Sequence, residues 1–300
     1  MQMLKTLFII TLSLLFCCTS CSQDEEYNDY DTNEYLFYTE SKVFATNPLI
    51  EVLNIRSATK QNSLQSIAVD KKNNQYIIFN GTNNLFKFSF SGKFLGRFSK
   101  PYTGHDNDVF IRDTNIYING SSALKSEEYS KILYKYNTSN NQIEQINTQA
   151  IVNKKIKRVI GGICYNKNNK AYIVAFDYRG TYNSENDNLA IYEMDLESNK
   201  IDLIFETKWK GWFIQGATCI NNYLYIACNN IPLKGYIYDG ITIKVFNMDT
   251  HTLIDSIRIN GEFEPEGLDY NIENGVPYLY MGIAKDRSIA KIFKFKAPFH

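Results

Sequence analysis

The chain has 300 residues, equal numbers of basic and acidic residues and a sequence pI of about 6.8. This balance argues against a nucleic-acid-binding protein, because such proteins need clustered Lys and Arg to displace counterions. The 22 tyrosines and 19 phenylalanines suit β-strands, and six prolines interrupt the chain only rarely.

Residues 1–20 predict a lipoprotein signal peptide. Lys5 precedes an apolar run, residues 7–16, that is too short for a permanent transmembrane helix. The small residues just before Cys21 resemble a bacterial lipobox, although Cys18 stands where a leucine is usual. We therefore expect cleavage before Cys21 and diacylation of its thiol, and ordinary secretory cleavage near the same point is the alternative.

Residues 21–40 predict an acidic tether that leads into a folded domain over residues 41–300. The tether contains no Lys or Arg and has no apolar period until about Tyr35. The acidic run from Asp24 to Glu26 resembles the export signal of some surface lipoproteins of Gram-negative bacteria. The expected location is thus the outer membrane, at the cell surface, with the lipid as the sole membrane contact.

The folded domain repeats one unit of four predicted strands five times. The clearest copy has strands at 213–220, 223–229, 241–248 and 253–259, and a tight Asn221-Asn222 turn joins the first two. A repeated four-stranded meander of this length is typical of a β-propeller blade. The prediction is an all-β, five-bladed propeller of antiparallel blades, expected to be a monomer, and two packed sheets are the alternative.

The last unit lacks one strand. Its other strands are predicted at 264–270, 276–283 and 289–295, and the chain then ends. We expect an N-terminal strand, at 49–55 or at 42–46, to complete this blade and close the ring, because closure removes an exposed sheet edge.

Polar residues cluster where the first strand of each unit begins. In a propeller these strands surround the axis, so the side chains converge on one mouth, the usual place for a ligand. The predicted ligand-binding residues are Gln65, Asp106, Asn107, Gln215 and Glu264, together with His105 and Glu266. The alternative is that these groups hydrogen-bond one another and seal a wet channel.

The same mouth could support acid–base chemistry on a glycan. His105 with Glu266, or Glu266 with Asp106 or Asp108, would provide the necessary pair. Carboxylates there could also bind Ca²⁺, but no cofactor is predicted. In the predicted folded domain, cysteine and histidine motifs typical of zinc are absent, and no GxSxG, P-loop or HExxH motif appears in the sequence.

Tryptophans between the predicted strands offer flat rings for stacking on sugars. Trp209 and Trp212 are the candidates, and packing between blades is the alternative for one of them. The basic run at residues 154–158 is interpreted as a solvated turn. Three cysteines of the folded part, Cys164, Cys219 and Cys228, are interpreted as small buried apolar side chains.

The unit starts resemble a known group of propellers. The motifs are QSIAVD at 65–70, GHDND at 104–108, QGATCINNYLYIA at 215–227 and EPEGLDY at 264–270. They resemble the group of bacteriophage receptor-binding proteins, teichoic-acid-associated TagC-like proteins and helveticin-type bacteriocins, from about residue 60 onward. The resemblance implies a five-bladed propeller that binds or acts on cell-envelope glycopolymers. The matching positions are Gln65, His105, Asn107, Gln215 and Glu266.

The resemblance is incomplete in two respects. The third unit has Gly161-Gly162 in place of a polar residue, which leaves part of the site undefined, and a lipid anchor departs from the phage members. Three functions follow as hypotheses: a surface protein that binds a glycan or another small polar ligand, a glycan-cleaving hydrolase or lyase that uses His105 and Glu266, and an envelope scaffold that binds another protein.

Overall fold

A computed structural model describes residues 49–55, 64–79, 84–99, 106–120, 132–151, 158–177, 187–209, 213–229, 240–259, 261, 263–285 and 289–300. The predictions for the signal peptide, Cys21 and the acidic tether lie outside these residues. Within them, the chain forms five four-stranded antiparallel sheets.

Each sheet is one blade, and its strands follow one another from the inner edge of the ring outward. Blade one is β2 (Ser66–Asp70), β3 (Gln75–Phe79), β4 (Asn84–Ser89) and β5 (Phe94–Ser99). Blade two is β6 (Asp106–Arg112), β7 (Asn115–Gly120), β8 (Ile132–Asn137) and β9 (Gln142–Ile146). Blade three is β10 (Arg158–Tyr165), β11 (Lys170–Asp177), β12 (Asp187–Asp195) and β13 (Ile201–Trp209).

The last two blades complete the ring. Blade four is β14 (Ile214–Ile220), β15 (Tyr223–Asn229), β16 (Ile241–Asn247) and β17 (Thr252–Ile259). Blade five is β18 (Glu264–Glu273), β19 (Val276–Lys285), β20 (Ile289–Lys296) and β1 (Ile50–Asn54). The predicted five-bladed β-propeller is confirmed.

The ring closes through the N-terminal strand. β1 pairs antiparallel with β20, with Ile50 opposite Lys294 and Asn54 opposite Lys291. Closure by the segment at 49–55 is therefore confirmed, and the other candidate, at 42–46, lies outside the described residues. Because β1 supplies the missing outer strand, both ends of the domain are held in one blade, and the outer edge of β20 is covered.

The hydrophobic core is divided into five clusters, one between each pair of neighbouring blades. Alternation along the inner strands explains this arrangement, because successive side chains of a strand point to opposite faces. In β2, Ile67 and Val69 pack against blade five, whereas Ala68 packs against blade two. Each inner strand is thus buried on both faces, and every blade depends on its two neighbours.

Asparagines with left-handed backbone join many of the strands. Asn221 has a φ of 54° in the turn between β14 and β15, as its sequence predicts. Asn74, between β2 and β3, has a φ of 53°. The described residues contain no helix long and apolar enough to cross a membrane.

Candidate functional site

The predicted mouth residues occupy equivalent positions on the inner strands. Pairing within β6, β10, β14 and β18 shifts register by an extra residue near the start of each strand. Such a β-bulge redirects a side chain. We call the residues at this position the bulge ring: Gln65 just before β2, then Asn107, Gly161, Gln215 and Glu266.

Neighbouring inner strands contact one another through the bulge ring. Gln65 Oε1 lies 3.4 Å from the backbone N of Asp106, and Gln215 Nε2 donates to Glu264 Oε2 at 3.0 Å. Asn107 Nδ2 lies 3.5 Å from the carbonyl O of Ile160. Each of these contacts bridges adjacent blades, and Gln215 with Glu264 is a pair of predicted side chains that bond directly.

Most of these side chains are buried. Asp106, Asn107, Gln215 and Glu266 are at most 5% exposed, whereas Gln65 and Glu264 are half-buried. The contacts described above hold the side chains of Gln65 and Asn107 against backbone groups and that of Gln215 against Glu264. His105, the partner that the sequence suggests for Glu266, lies outside the described residues.

The carboxyl of Glu266 is the most perturbed group of the bulge ring. Burial raises its pKa well above the usual value, and the charge of Glu264 and a hydrogen bond to that side chain raise it further. Glu266 Oε2 is buried and has no hydrogen-bond partner within the described residues. Both causes favour the protonated form of the carboxyl, which is the form that can donate a proton.

One residue after the bulge in β6, Asp108 contacts two other inner strands. It lies on β6, yet its Oδ2 accepts hydrogen bonds from the backbone N of Ile163 on β10 at 2.9 Å and of Ala217 on β14 at 2.7 Å. Asp108 is fully buried, and burial raises its pKa well above the usual value. The carboxyl thus ties three blades together in the middle of the ring.

Glycines directly after the bulge-ring residues let the inner strands approach one another closely. A Cβ on Gly162 would lie 2.7 Å from Cβ of Ala217, and one on Gly216 would lie 2.7 Å from the backbone N of Leu268. A Cβ on Gly267 would lie 2.6 Å from the backbone N of Ile67. The glycine pair in the third unit is therefore a packing feature, which explains its lack of a polar side chain.

At the opposite end of the inner strands lies a cavity of about 310 Å³. We call it the axial cavity, because residues from all five blades line it. Its lining residues are Val69, Asp70, Lys71, Lys72, Phe110, Ile111, Arg112, Asp113, Tyr165, Thr218, Asp269 and Tyr270. Its volume lies at the lower end of the range for ligand pockets, which is about 300 to 1,000 Å³.

Two cation–π contacts flank the axial cavity. Lys71 Nζ lies 3.1 Å from the centroid of the Tyr270 ring, and the guanidinium carbon of Arg112 lies 4.7 Å from the centroid of the Tyr165 ring. Desolvation at this position lowers the pKa of Lys71, and the negative charge of Asp269 partly opposes that change. Burial raises the pKa of Tyr270 to about 12, so its hydroxyl is neutral at pH 7.

Asp269 connects the axial cavity to the strands around it. Its Oδ2 accepts a hydrogen bond from the backbone N of Val69 at 2.7 Å, and its Oδ1 accepts one from the backbone N of Tyr270 at 2.7 Å. Burial raises its pKa, although Lys71 and these amide donors lower it. This carboxylate therefore serves first to join blade five to blade one.

The prediction that Trp209 is an exposed ring in a loop is wrong. β13 extends to Trp209, which is 1% exposed and packs with residues such as Phe176 and Ile214, between blades three and four. Lys244 Nζ lies 4.2 Å from its ring centroid. A ring held in this way is not free to stack on a sugar. Trp212 lies outside the described residues.

Arg158 is also placed differently from the solvated turn that the sequence suggests. It is 4% exposed and donates to Asp177 at 2.9 Å, to the Tyr192 hydroxyl at 2.7 Å and to Glu206 at 2.7 Å. Its role is to hold the strands of blade three together.

The three described cysteines are buried free thiols, as predicted. Burial raises the pKa of Cys219 to about 12 and that of Cys164 well above its usual value. Both therefore remain protonated thiols, which are poor nucleophiles.

Sequence reasoning missed the residues of the axial cavity. It singled out neither Lys71 nor Tyr165, and Tyr270 entered it only as the end of the predicted strand at 264–270. Aligning the inner strands on the residues of the bulge ring would have revealed the pattern, because Tyr165 and Tyr270 then share a position, four residues after Gly161 and Glu266. Lys71 and Arg112 follow at the ends of the two adjacent strands.

The fold and these features define a five-bladed β-propeller with an axial cavity at one end of its inner strands. Among solved structures, the chain is similar to the WD40 domain of Pan2 from Neurospora crassa, with 10% identity and a TM-score of 0.41. The match covers 84% of this chain and 96% of that one. Similarity at this level carries no functional information, and the propeller class rests on the five sheets.

No protein-family model matches the chain, and no curated protein matches it. Among the described residues, no group of three or more His, Cys, Asp or Glu side chains is arranged to hold a metal ion.

Proposed function

We propose that this protein is a binding module for a small polar ligand, most simply part of a glycan, and that the axial cavity is its binding site. The observation that carries the proposal is the contribution of all five blades to one cavity of about 310 Å³. A pocket on the axis of a closed ring has a wall fixed by the whole fold, which limits the entropy lost on binding.

The lining of the cavity suits a saccharide. Tyr165 and Tyr270 supply aromatic surface and hydroxyl groups, while Lys71, Arg112 and Thr218 supply polar atoms for sugar hydroxyls. The resemblance of the unit starts to propellers associated with cell-envelope glycopolymers supports the same class of ligand.

The predicted lipid anchor belongs to this proposal. A diacylated Cys21 followed by an acidic tether would hold the propeller at the outer surface of a bacterial cell, where extracellular glycans are accessible. Radiolabelled palmitate fed to expressing cells tests this part. Label on the wild-type chain and none on Cys21→Ala is expected, and label on both would contradict it.

Binding of the purified full-length chain to a panel of bacterial and dietary polysaccharides tests the central proposal. Tyr165→Ala removes one wall of the cavity and should abolish binding. Tyr136→Ala, a half-buried tyrosine of β8 outside the cavity, is the matched control and should bind normally. Equal binding by both variants would contradict the assignment of the site.

Absence of binding to every polysaccharide would contradict the glycan proposal and favour a protein scaffold. The surface to examine would then be β5, on which Phe94, Leu95 and Phe98 are each 42–47% exposed.

A glycan-cleaving enzyme is the second candidate, favoured by the raised pKa of Glu266. A buried, protonated carboxyl is what a general acid requires. Glu264 cannot be its catalytic partner in the usual geometry, because the two side chains are hydrogen-bonded, whereas glycosidase carboxyls are at least about 5 Å apart. New reducing ends or unsaturated products formed by the wild type and not by Glu266→Gln would establish this activity.

A further inference from the structure

Two cations of the axial cavity are held in place by tyrosines of neighbouring blades. Lys71 follows β2 and lies over Tyr270 of β18, and Arg112 ends β6 and lies over Tyr165 of β10. β2 and β6 are adjacent in the ring, and both cations line the axial cavity. A guanidinium that stacks through its flat face keeps its in-plane N–H donors available.

The carboxylates of the cavity have other partners. Asp70 accepts hydrogen bonds from the backbone N of Asn73 at 3.1 Å and from Asn73 Nδ2 at 2.7 Å. Asp269 accepts from the backbone N of Val69 and of Tyr270, each at 2.7 Å. Both carboxylates are therefore used to fix the backbone around the cavity.

The cations are incompletely neutralised. Neither Lys71 nor Lys72 forms an ion pair within the described part of the chain. Arg112 Nε lies 3.3 Å from Asp113 Oδ2, but the Asp113 side chain is 70% exposed, and Arg112 Nε has no hydrogen-bond partner among the described residues. The nearby negative charges are thus Asp113, which is largely exposed, and Asp269, which is already bonded to two backbone amides. Partly desolvated cations with such counterions favour an additional anion from outside.

We propose that the axial cavity binds a carboxylate, and that Lys71 and Arg112 are the residues that hold it. This inference rests on the proposed function and narrows the ligand to an acidic saccharide, such as one that carries a uronic acid. A single negative charge fits better than a phosphate dianion, because Asp70, Asp113 and Asp269 also line the cavity and would repel the second charge.

Binding of matched sugars to the full-length chain tests the inference. Glucuronate is compared with glucose, and galacturonate with galactose, by isothermal titration calorimetry. The acidic sugar of each pair should bind about 10- to 100-fold more tightly, as expected for hydrogen bonds to a charged partner. The preference should diminish as sodium chloride is added. Equal affinity for acidic and neutral sugars would overturn the inference while leaving glycan binding intact.

Variants identify the residues responsible. Lys71→Met and Arg112→Gln should each remove most of the preference for the acidic sugar. Lys87→Met is the matched control for the first, because Lys87 lies over Phe98 at 4.7 Å in the same blade but outside the cavity. Arg97→Gln is the control for the second, because Arg97 belongs to the exposed strand β5. A preference that persists in both cavity variants would overturn the assignment.

A probe without a sugar separates the two proposals. Acetate is titrated into the full-length chain, and side-chain NMR signals of Lys71 and Arg112 are followed, with those of Lys87 and Arg97 as references. Saturable shifts confined to Lys71 and Arg112 support the carboxylate site even if no saccharide binds. Absence of such shifts overturns it, whatever the outcome with neutral glycans.

Discussion

The two ends of the inner strands use polar residues in opposite ways. At the bulge ring, polar side chains are buried and bonded to the neighbouring blade, as Gln215 is to Glu264. At the axial cavity, Lys71 and Arg112 contact tyrosine rings and border open space. The polar groups of the bulge ring therefore hold neighbouring blades together, whereas the axial cavity keeps hydrogen-bond donors available for a ligand.

Geometry explains this difference. A bulge turns an extra side chain toward the axis where glycines already bring the strands within contact distance, so that side chain must find a partner inside the protein. At their other end the inner strands continue into turns, such as the one at Asn74. The axial cavity lies at this end. Clustered polar residues thus mark a structural layer here, and the cavity lies elsewhere.

The largest expected effect concerns Asp108, at the centre of the structural layer. Asp108→Ala leaves the amides of Ile163 and Ala217 without a partner, and each buried unsatisfied donor costs about 1–3 kcal/mol. The free energy of unfolding from urea denaturation should therefore fall by about 2–6 kcal/mol. Asp108→Asn keeps an acceptor and should lose less than half as much. Equal losses for the two variants would contradict the hydrogen-bonding role.

Close strand packing gives the next largest effect. Gly267 and Gly275 have similar φ values, 87° and 80°, but a Cβ on Gly267 would meet backbone, whereas one on Gly275 would have nothing within 4 Å. Gly275→Ala should cost about 1–2 kcal/mol from the left-handed conformation alone. Gly267→Ala should cost about 1–3 kcal/mol more, because the strands must separate. Thermal unfolding of both variants measures the difference, and equal costs would mean that the inner strands can move apart freely.

Much of the fold could be predicted from the sequence, because strands and turns leave local signals. Alternation and Asn-rich turns located the five units, and the strand missing from the last unit indicated closure by an N-terminal strand, at 49–55 or 42–46, of which the structure shows the first. The position of the bulge ring followed from the polar strand starts. The burial of these side chains could not be predicted, because it depends on the register shift and on how closely the next blade approaches.

The axial cavity could not be predicted because its residues have common local roles. Lys71 begins a turn, and Tyr165 ends a strand, so neither is unusual in its own segment. Their significance comes from contacts between blades, such as Lys71 with Tyr270, which are separated by about 200 residues in the chain. Trp209 shows the converse case, because β13 continues as far as Trp209, which is buried between two blades.

Stability should depend on pH through the carboxyls near the axis. The pKa values of Asp108, Glu266 and Asp269 are raised by burial in the folded state. Between the unfolded pKa near 4 and the raised folded values, the native state binds more protons, so stability falls as pH increases. Each group contributes up to about 1.4 kcal/mol per pH unit in that window.

Glu266→Gln tests this dependence at the bulge ring. Urea denaturation from pH 4.5 to pH 8 should show a smaller decline in the free energy of unfolding for Glu266→Gln than for the wild type, because one titrating group is removed. Glu197→Gln, in an exposed turn, is the control and should follow the wild type. A decline of the wild-type size in Glu266→Gln would show that Glu266 does not gain a proton on folding.

The smallest expected effect on stability comes from substituting a residue of the axial cavity, which we compare with a substitution in the bulge ring. Gln215→Ala, in the bulge ring, should lower the free energy of unfolding by about 1 kcal/mol, because a buried hydrogen bond to Glu264 is lost. Lys71→Met should change it by less than about 0.5 kcal/mol, because Lys71 forms no ion pair within the described residues and a methionine side chain keeps an apolar contact with the Tyr270 ring. Urea denaturation of both variants at pH 7 measures the contrast. If Lys71→Met is destabilised as much as Gln215→Ala, Lys71 serves the fold as Gln215 does, and the distinction between a structural end and a binding end fails.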